Sequence, residues 1–242
     1  LVAISSLLLI ATSLRFGIEP GIAIRFTDAT DPTTPEKLVG LGYWILITLA
    51  ATAFPVKMPR GMLVFVSSAP MFAAMALGGP AAGAWVALLG TFDNREIRGR
   101  IPWYGSLTNH AGAVPPAVLG GLVMHVLSGP SVNSFQSVLA VTIGATVMFT
   151  ANIYMVAVLL SLRTGTSVRN TFFADTRIFA SSQLALAPLG WLMARIYAAE
   201  SSGGWWAALV FAGRRELDRV REIVKQLDVS GFSNMAQPRI IA

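Results

Sequence analysis

The stretch IPWYGSLTNHAGAVPPAVLGGLVMHVLSGPSVNSFQSVLAVTIGATVMFTANIYMVAVLLSL, residues 101–162, decides the class of fold. Its 62 residues include no Lys, Arg, Asp or Glu. A water-soluble fold of this size does not normally tolerate such a gap, whereas a membrane-spanning helix needs about 20 apolar residues. The turn residues Ser128, Gly129, Pro130 and Ser131 divide the stretch in two. It therefore predicts two helices that cross a membrane.

The composition of the whole chain agrees with this prediction. Only 12% of its 242 residues are charged, 54% are hydrophobic, and the mean hydropathy is +0.63. Soluble domains carry about 25% charged residues, and the alternating pattern of an outer-membrane barrel is absent here. Cysteine is also absent, which excludes disulfides, Cys-ligated metals and thiol nucleophiles. We predict an all-α, polytopic transmembrane helical bundle.

The spacing of charged residues predicts the number of spans. One uncharged segment, 61–92, is too long for one helix and is interrupted at Gly78-Gly79-Pro80. We predict a tight hairpin of two short spans there; one kinked helix is the alternative. The count is then about eight spans, within a range of six to eight. The uncharged segments are 1–14, 38–56, 61–92, 101–162, 178–194 and 201–213.

Loop charges predict the orientation of these spans. Formal charge is −1 over 15–37, +2 from Lys57 and Arg60, +1 over 93–100 and +2 over 163–177, with zero in the turns between them. Cytoplasmic loops carry the excess of Lys and Arg, so this alternation places both termini in the cytoplasm. We attribute the net charge of +6 to orientation and anionic headgroups, and we expect no nucleic-acid partner.

The chain divides into three parts: a transmembrane domain over 1–213, an amphipathic cytoplasmic helix over 214–228 and a disordered tail over 229–242. Four apolar residues of the helix share one stripe: Leu217, Val220, Val224 and Leu227. The stripe needs a partner, and the candidates are a second copy in a homodimer, the cytoplasmic face of the transmembrane bundle and an output domain. The alternative is that the helix lies on the membrane surface. The apolar start without a basic segment suggests a missing native N-terminus.

Polar residues within the spans are the candidate ligand-binding residues. Asn109, Asn152 and Gln183 lie on three different predicted spans, and polar groups in lipid are costly. They are expected either to line a ligand pocket or to form hydrogen bonds between helices. His110 is a further candidate, with a structural or interfacial role as the alternative; His125 is expected at the interface.

The densest cluster of charged residues lies between Gly90 and His110 and forms a signature loop. Its charged members are expected to pair among themselves, and its aromatic pair suits the membrane boundary. The alternative is a loop that only orients the protein. The signature-loop residues are Asp93, Arg95, Glu96, Arg98, Pro102, Trp103 and Tyr104.

The segments Met58–Gly61, Ser67–Pro70, Gly78–Trp85 and Gly90–His110 together resemble a known membrane region. It is the N-terminal multi-span region of bacterial signalling proteins that end in an HD-GYP-type phosphohydrolase domain, or sometimes a GGDEF domain. The resemblance covers roughly residues 38–195. It implies a multi-pass sensory or anchoring domain of the bacterial cytoplasmic (inner) membrane that feeds a cyclic-di-GMP phosphodiesterase. The fold implied by the resemblance is similar to that of vitamin-transporter substrate-binding subunits.

The chain departs from that family at its end, because Gly213, Arg214 and Arg215 arrive where the last span of the family continues. No HD or GYP signature and no other catalytic motif is present. We therefore expect no enzymatic activity, no cofactor and no metal in this chain. The expected partners are the lipid bilayer and an unidentified small molecule. The alternatives are a substrate-binding membrane subunit of a small-molecule, vitamin-type transporter and an anchor without a ligand.

Overall fold

The structure, a computed structural model, describes residues 1–26, 31–53, 56–57, 63–64, 66–92, 94–129 and 131–199. Side chains of helical residues 174–184 are also outside this description. The predicted last span over 201–213, the amphipathic helix over 214–228 and the tail over 229–242 lie outside the described residues. These three expectations therefore remain predictions.

The described residues are almost entirely helical. A 3₁₀ turn spans Pro20–Ile22, and two-residue strands β1 (Val56–Lys57) and β2 (Leu63–Val64) pair antiparallel. The α-helices of the described residues are α1 Val2–Phe16, α2 Thr34–Ala53, α3 Ser68–Leu89, α4 Asn94–Ile97, α5 Trp103–Leu127, α6 Phe135–Thr164 and α7 Val168–Ala198.

By length and composition alone, four of the described helices could cross a membrane: α2, α5, α6 and α3, the last of which is broken in the middle. The shorter helix α1 is also apolar. The predicted all-helical membrane fold is confirmed at this level. The count of eight spans and the orientation stay predictions.

Local sequence accounts for where the helices begin and end. In the first turn of α2, the carboxylate of Glu36 accepts hydrogen bonds from the backbone N–H of Thr33 at 2.7 Å and from its hydroxyl at 2.9 Å. This Thr-x-x-Glu arrangement is half of a capping box. At the end of α6, Gly165 adopts the left-handed conformation, with φ 69° and ψ 10°, which suits a residue without Cβ.

Helix α3 is broken in the middle, and its two halves fold back on one another. Gly79 has φ 75° and ψ −170°, a region essentially restricted to glycine. A Cβ on Gly83 would collide with the Met75 side chain, although eight residues span about 12 Å along a straight helix. The turn therefore lies where the sequence predicts a hairpin. Each half has about 11 residues, so neither is long enough to cross alone.

The α3 hairpin occupies the centre of the bundle. Gly78, Gly79 and Pro80 are all buried. Non-helical backbone at membrane depth is tolerated where protein surrounds it. One carbonyl freed by the break is satisfied, because the backbone N–H of Glu19 donates to Gly78 O at 3.1 Å. The surrounding helices therefore bury the break, and Glu19 supplies a hydrogen bond to one of its carbonyls.

The chain passes back and forth between two ends of the bundle. Helices α5 and α6 are antiparallel, since Met155 lies beside Gly112 and Met148 beside Gly120. Both ends of the α3 hairpin lie at the end where α5 begins. We call this the basic end, because Arg95, Arg98, Arg100 and Arg163 lie in or beside the segments that connect α3 to α5 and α6 to α7 there.

The opposite end contains the connections 17–33 and 128–134. Two side chains of α7 hold them: the Tyr197 hydroxyl donates to Ile22 O at 2.7 Å, and Trp191 Nε1 donates to Val132 O at 2.9 Å. These hydrogen bonds join segments that lie far apart in the chain. They tie the last part of α7 to both connections.

Candidate functional site

The site is built around His110, which lies on the second turn of α5 at the basic end. Its Nε2 atom is 2.8 Å from Oε2 of Glu96 on α4. Its Nδ1 atom is 3.1 Å from the hydroxyl of Thr91, which follows α3. The side chains of His110 and Glu96 are each only 6% exposed. Three separate segments therefore meet at one buried imidazole.

Both nitrogens of the His110 ring have hydrogen-bond partners. The Thr91 hydroxyl lies 3.1 Å from Nδ1 and also 2.8 Å from Ala87 O. A hydroxyl can donate or accept, so it matches either tautomer of the ring, and the other nitrogen faces Glu96. A carboxylate with such a partner costs less to bury than an unpaired one.

Two neighbours hold this pair in place. The ring of Phe92 lies over His110, with centroids 3.9 Å apart and an interplanar angle of 31°. Asn109 Nδ2 lies 3.4 Å from Glu96 Oε1, which is a long hydrogen bond. Both oxygens of the carboxylate and both nitrogens of the imidazole thus have neighbours. The orientation of the pair is determined by packing as well as by hydrogen bonds.

A cavity of about 510 Å³ lies against this pair. Its volume falls within the range of small-molecule sites, roughly 300–1,000 Å³. Apolar side chains such as Met71, Phe72 and Met148 form part of the wall. The polar lining residues are Thr52, Ser67, Ser68, Thr91, Arg95, Glu96, Asn109, His110 and Asn152. An apolar wall with a few convergent polar groups is typical of a ligand pocket.

The structure brings together three of the four predicted ligand-binding residues. Asn109, His110 and Asn152 all line this cavity, Asn109 and His110 from α5 and Asn152 from α6. Gln183 lies on α7, and its side chain is outside the described residues. Whether a ligand binds at these residues stays a prediction.

Some residues of the signature loop line the cavity and others are exposed at the surface. Arg95 and Glu96 line the cavity, whereas the Arg98 side chain is exposed. Pro102, Trp103 and Tyr104 are exposed where α5 begins. Asp93 lies outside the described residues.

Sequence reasoning missed the partners of both histidines. It did not identify the contact between the Glu96 carboxylate and His110, which lies fourteen residues later. At the opposite end, His125 Nδ1 lies 2.8 Å from Oε1 of Glu19, which is 106 residues away. No sequence signal links Glu19 to His125. Thr91 and Ser67 were also missed, although both lie within the uncharged segment 61–92.

Metal binding has little support at this site. Among the described residues, no group of three or more His, Cys, Asp or Glu side chains is placed to hold a metal ion. Glu96 and His110 supply two ligands at most, and they contact each other. The arrangement is better suited to hydrogen bonding of an organic ligand than to metal chemistry.

Comparisons of the chain with protein-family models, with curated proteins and with solved structures find no match. The site must therefore be interpreted from its own geometry. The apolar helices indicate a helical membrane protein. Its candidate small-molecule site is the 510 Å³ cavity closed at one side by the His110–Glu96 pair, which we call the polar cavity.

Proposed function

We propose that this protein is a membrane-embedded sensory domain that binds a small molecule at its basic end. The cavity beside His110 and Glu96 is the observation that carries the proposal. Its polar groups come from α4, α5, α6 and the ends of α2 and α3. A ligand bound there contacts several helices at once. Binding can then change how these helices pack, which is what a sensory domain requires.

The proposed orientation places the basic end in the cytoplasm. Positive loops lie at this end of the bundle, and cytoplasmic loops carry the excess of Lys and Arg. With about eight spans, both termini of the chain are then cytoplasmic. In this orientation the ligand reaches the cavity from the cytoplasm of a bacterial cell or from the inner leaflet of its membrane.

The transporter alternative has less support. A substrate-binding subunit for uptake needs a pocket that opens to the outside. The cavity beside His110 lies instead at the end with positive loops, the proposed cytoplasmic end. The arrangement therefore favours sensing over transport. We further propose that the chain is not itself an enzyme, since its site residues form no catalytic constellation familiar from soluble enzymes.

The proposed output is a separate domain beyond residue 242. The resemblance of the sequence to membrane regions of HD-GYP-type signalling proteins suggests a cyclic-di-GMP phosphodiesterase. The helix predicted over 214–228 would join it to the bundle. Replacing both Val220 and Val224 with Asp is expected to abolish coupling in a full-length protein without affecting membrane insertion. Unchanged output from that double variant would contradict this mode of coupling.

A ligand-retention experiment tests the sensory proposal. The protein, purified in lipid nanodiscs, is equilibrated with the small-molecule fraction of a bacterial cytosol, passed through a desalting column and analysed by mass spectrometry. Asn152→Trp fills the cavity at an exposed lining residue, and Asn133→Trp is the matched control at the opposite end. We expect a compound retained by the parent and by Asn133→Trp but lost from Asn152→Trp. Retention of nothing, or equal retention by all three, would overturn the proposal.

A further inference from the structure

A second cavity adjoins the first and differs from it in character. This apolar groove has a volume of about 880 Å³. The groove and the polar cavity have Glu96, Ile101 and His110 in common. The buried pair is therefore part of the wall of both. Apart from these three residues, Gly99 and Ser106, the groove is lined by Leu88, Leu89, Phe92, Pro102, Trp103 and Leu107.

The groove lies where a bilayer would meet water. Trp103 is 77% exposed and Leu107 is 43% exposed at the start of α5. Neighbouring Tyr104 is exposed too, and aromatic pairs of this kind favour the interfacial layer of a membrane. An apolar lining at this depth favours hydrocarbon over water. Its occupant is therefore expected to be hydrocarbon.

The polar cavity favours an uncharged head, because its two charged lining residues, Arg95 and Glu96, carry opposite charges. The nitrogens of His110 and Oε2 of Glu96 already bond to each other or to Thr91. The amide of Asn152 makes no hydrogen bond to any described residue, and the hydroxyls of Ser67 and Ser68 are also part of the lining. Amide and hydroxyl groups offer both donors and acceptors without a charge. They suit hydroxyl or amide groups on a ligand.

We propose that the two cavities form one site for a single-chain amphiphile. Its uncharged, hydroxyl- or amide-bearing head occupies the polar cavity, and its hydrocarbon chain lies in the apolar groove beside Trp103. This inference rests on the proposed ligand-binding function and specifies the chemical class of the ligand. The Glu96–His110 pair would then mark the boundary between head and chain.

The test uses two probes with the same head: 1-monopalmitoylglycerol and free glycerol. Binding is measured on the full chain in phosphatidylcholine nanodiscs by native mass spectrometry. Ser106→Trp fills the groove, Asn152→Trp fills the polar cavity, and Asn133→Trp is the control at the opposite end. We expect monopalmitoylglycerol to bind the parent and the control within twofold of each other. Both filling variants should weaken it at least tenfold, and glycerol should bind far more weakly than monopalmitoylglycerol.

A photoreactive analogue gives a readout that does not depend on the variants. With a diazirine at the end of its chain, monopalmitoylglycerol should label peptides within residues 88–107 of the parent protein. Labelling spread evenly over the lipid-facing helices would overturn the proposal. So would monopalmitoylglycerol binding that Ser106→Trp leaves unchanged.

The outcomes also separate this inference from the proposed function. If Asn152→Trp abolishes binding of a soluble cytosolic compound and Ser106→Trp leaves that binding unchanged, the proposal of an amphiphilic ligand is wrong and the proposed sensory site is supported. If neither variant alters binding of any compound, both proposals fail.

Discussion

His110 and Glu96 form a buried pair, with Nε2 and Oε2 2.8 Å apart, that ties the start of α5 to the loop before it. His125 and Glu19 form a second pair with the same separation near the end of α5. The two histidines are fifteen residues apart, or about 22 Å along the helix. These are the only histidines in the chain, and each contacts a carboxylate. Both ends of α5 are therefore anchored to another segment.

The two pairs are expected to differ in their contribution to stability. Replacing His110 with Phe removes the 2.8 Å partner of a buried carboxylate and should lower the free energy of unfolding by about 3 kcal/mol. His125→Phe is the matched control, because its pair is 42% and 32% exposed and is worth at most about 1 kcal/mol. Reversible unfolding in mixed micelles measures both.

A second substitution tests the physical reason for that difference. Adding Glu96→Gln to His110→Phe removes the buried charge and should recover part of the loss. Equal losses from His110→Phe and His125→Phe, or no recovery in the double variant, would contradict the assignment.

The turn at Gly79 is expected to require glycine. Ala at this position would be held at φ 75° and ψ −170°, and its Cβ would collide with the Glu19 carboxylate. We expect a loss of about 2–3 kcal/mol and a lower thermal midpoint. Gly42→Ala on α2 is the control, because nothing lies within 4 Å of its added Cβ and Ala favours a helix. Comparable midpoints for the two variants would show that the turn tolerates a side chain.

Tyr197 is expected to hold the end of α7 against the connection between α1 and α2. Tyr197→Phe removes the hydroxyl that donates to Ile22 O and leaves a buried carbonyl without that donor. The expected cost is about 1–2 kcal/mol. Tyr154→Phe is the control, since Tyr154 is 58% exposed. Thermal unfolding of both variants in the same detergent provides the measurement, and equal midpoints would exclude a role for the hydrogen bond.

Cysteine labelling tests the proposed orientation directly, because the parent chain has no cysteine. Asn94→Cys lies on α4 at the basic end, and Asn133→Cys lies between α5 and α6 at the opposite end. With a membrane-impermeant maleimide, intact cells should label Asn133→Cys alone, and permeabilised cells should label both. Labelling of Asn94→Cys in intact cells would reverse the proposed topology.

Several features of the fold are predictable from the sequence because they depend on neighbouring residues. The uncharged residues 101–162 predict membrane helices whatever surrounds them, because burying a charge in hydrocarbon is costly. Gly78-Gly79-Pro80 predicts a break, since Pro80 cannot continue the hydrogen-bond ladder and Gly79 can take a positive φ. The candidate residues Asn109 and Asn152 were also identifiable as polar groups in apolar spans.

Other features follow only from the tertiary arrangement, because they depend on which helices become neighbours. Composition does not show that Glu96 contacts α5. That contact depends on the packing of α3 against α5, which brings Thr91 within 3.1 Å of His110, the partner of Glu96 on α5. The contact between Glu19 and His125 crosses 106 residues and depends on the position of the α3 hairpin tip. Hydropathy is a property of each residue, so the sequence alone identifies a membrane protein. Hydrogen-bond partners depend on which residues are neighbours in space, and only the folded bundle decides that.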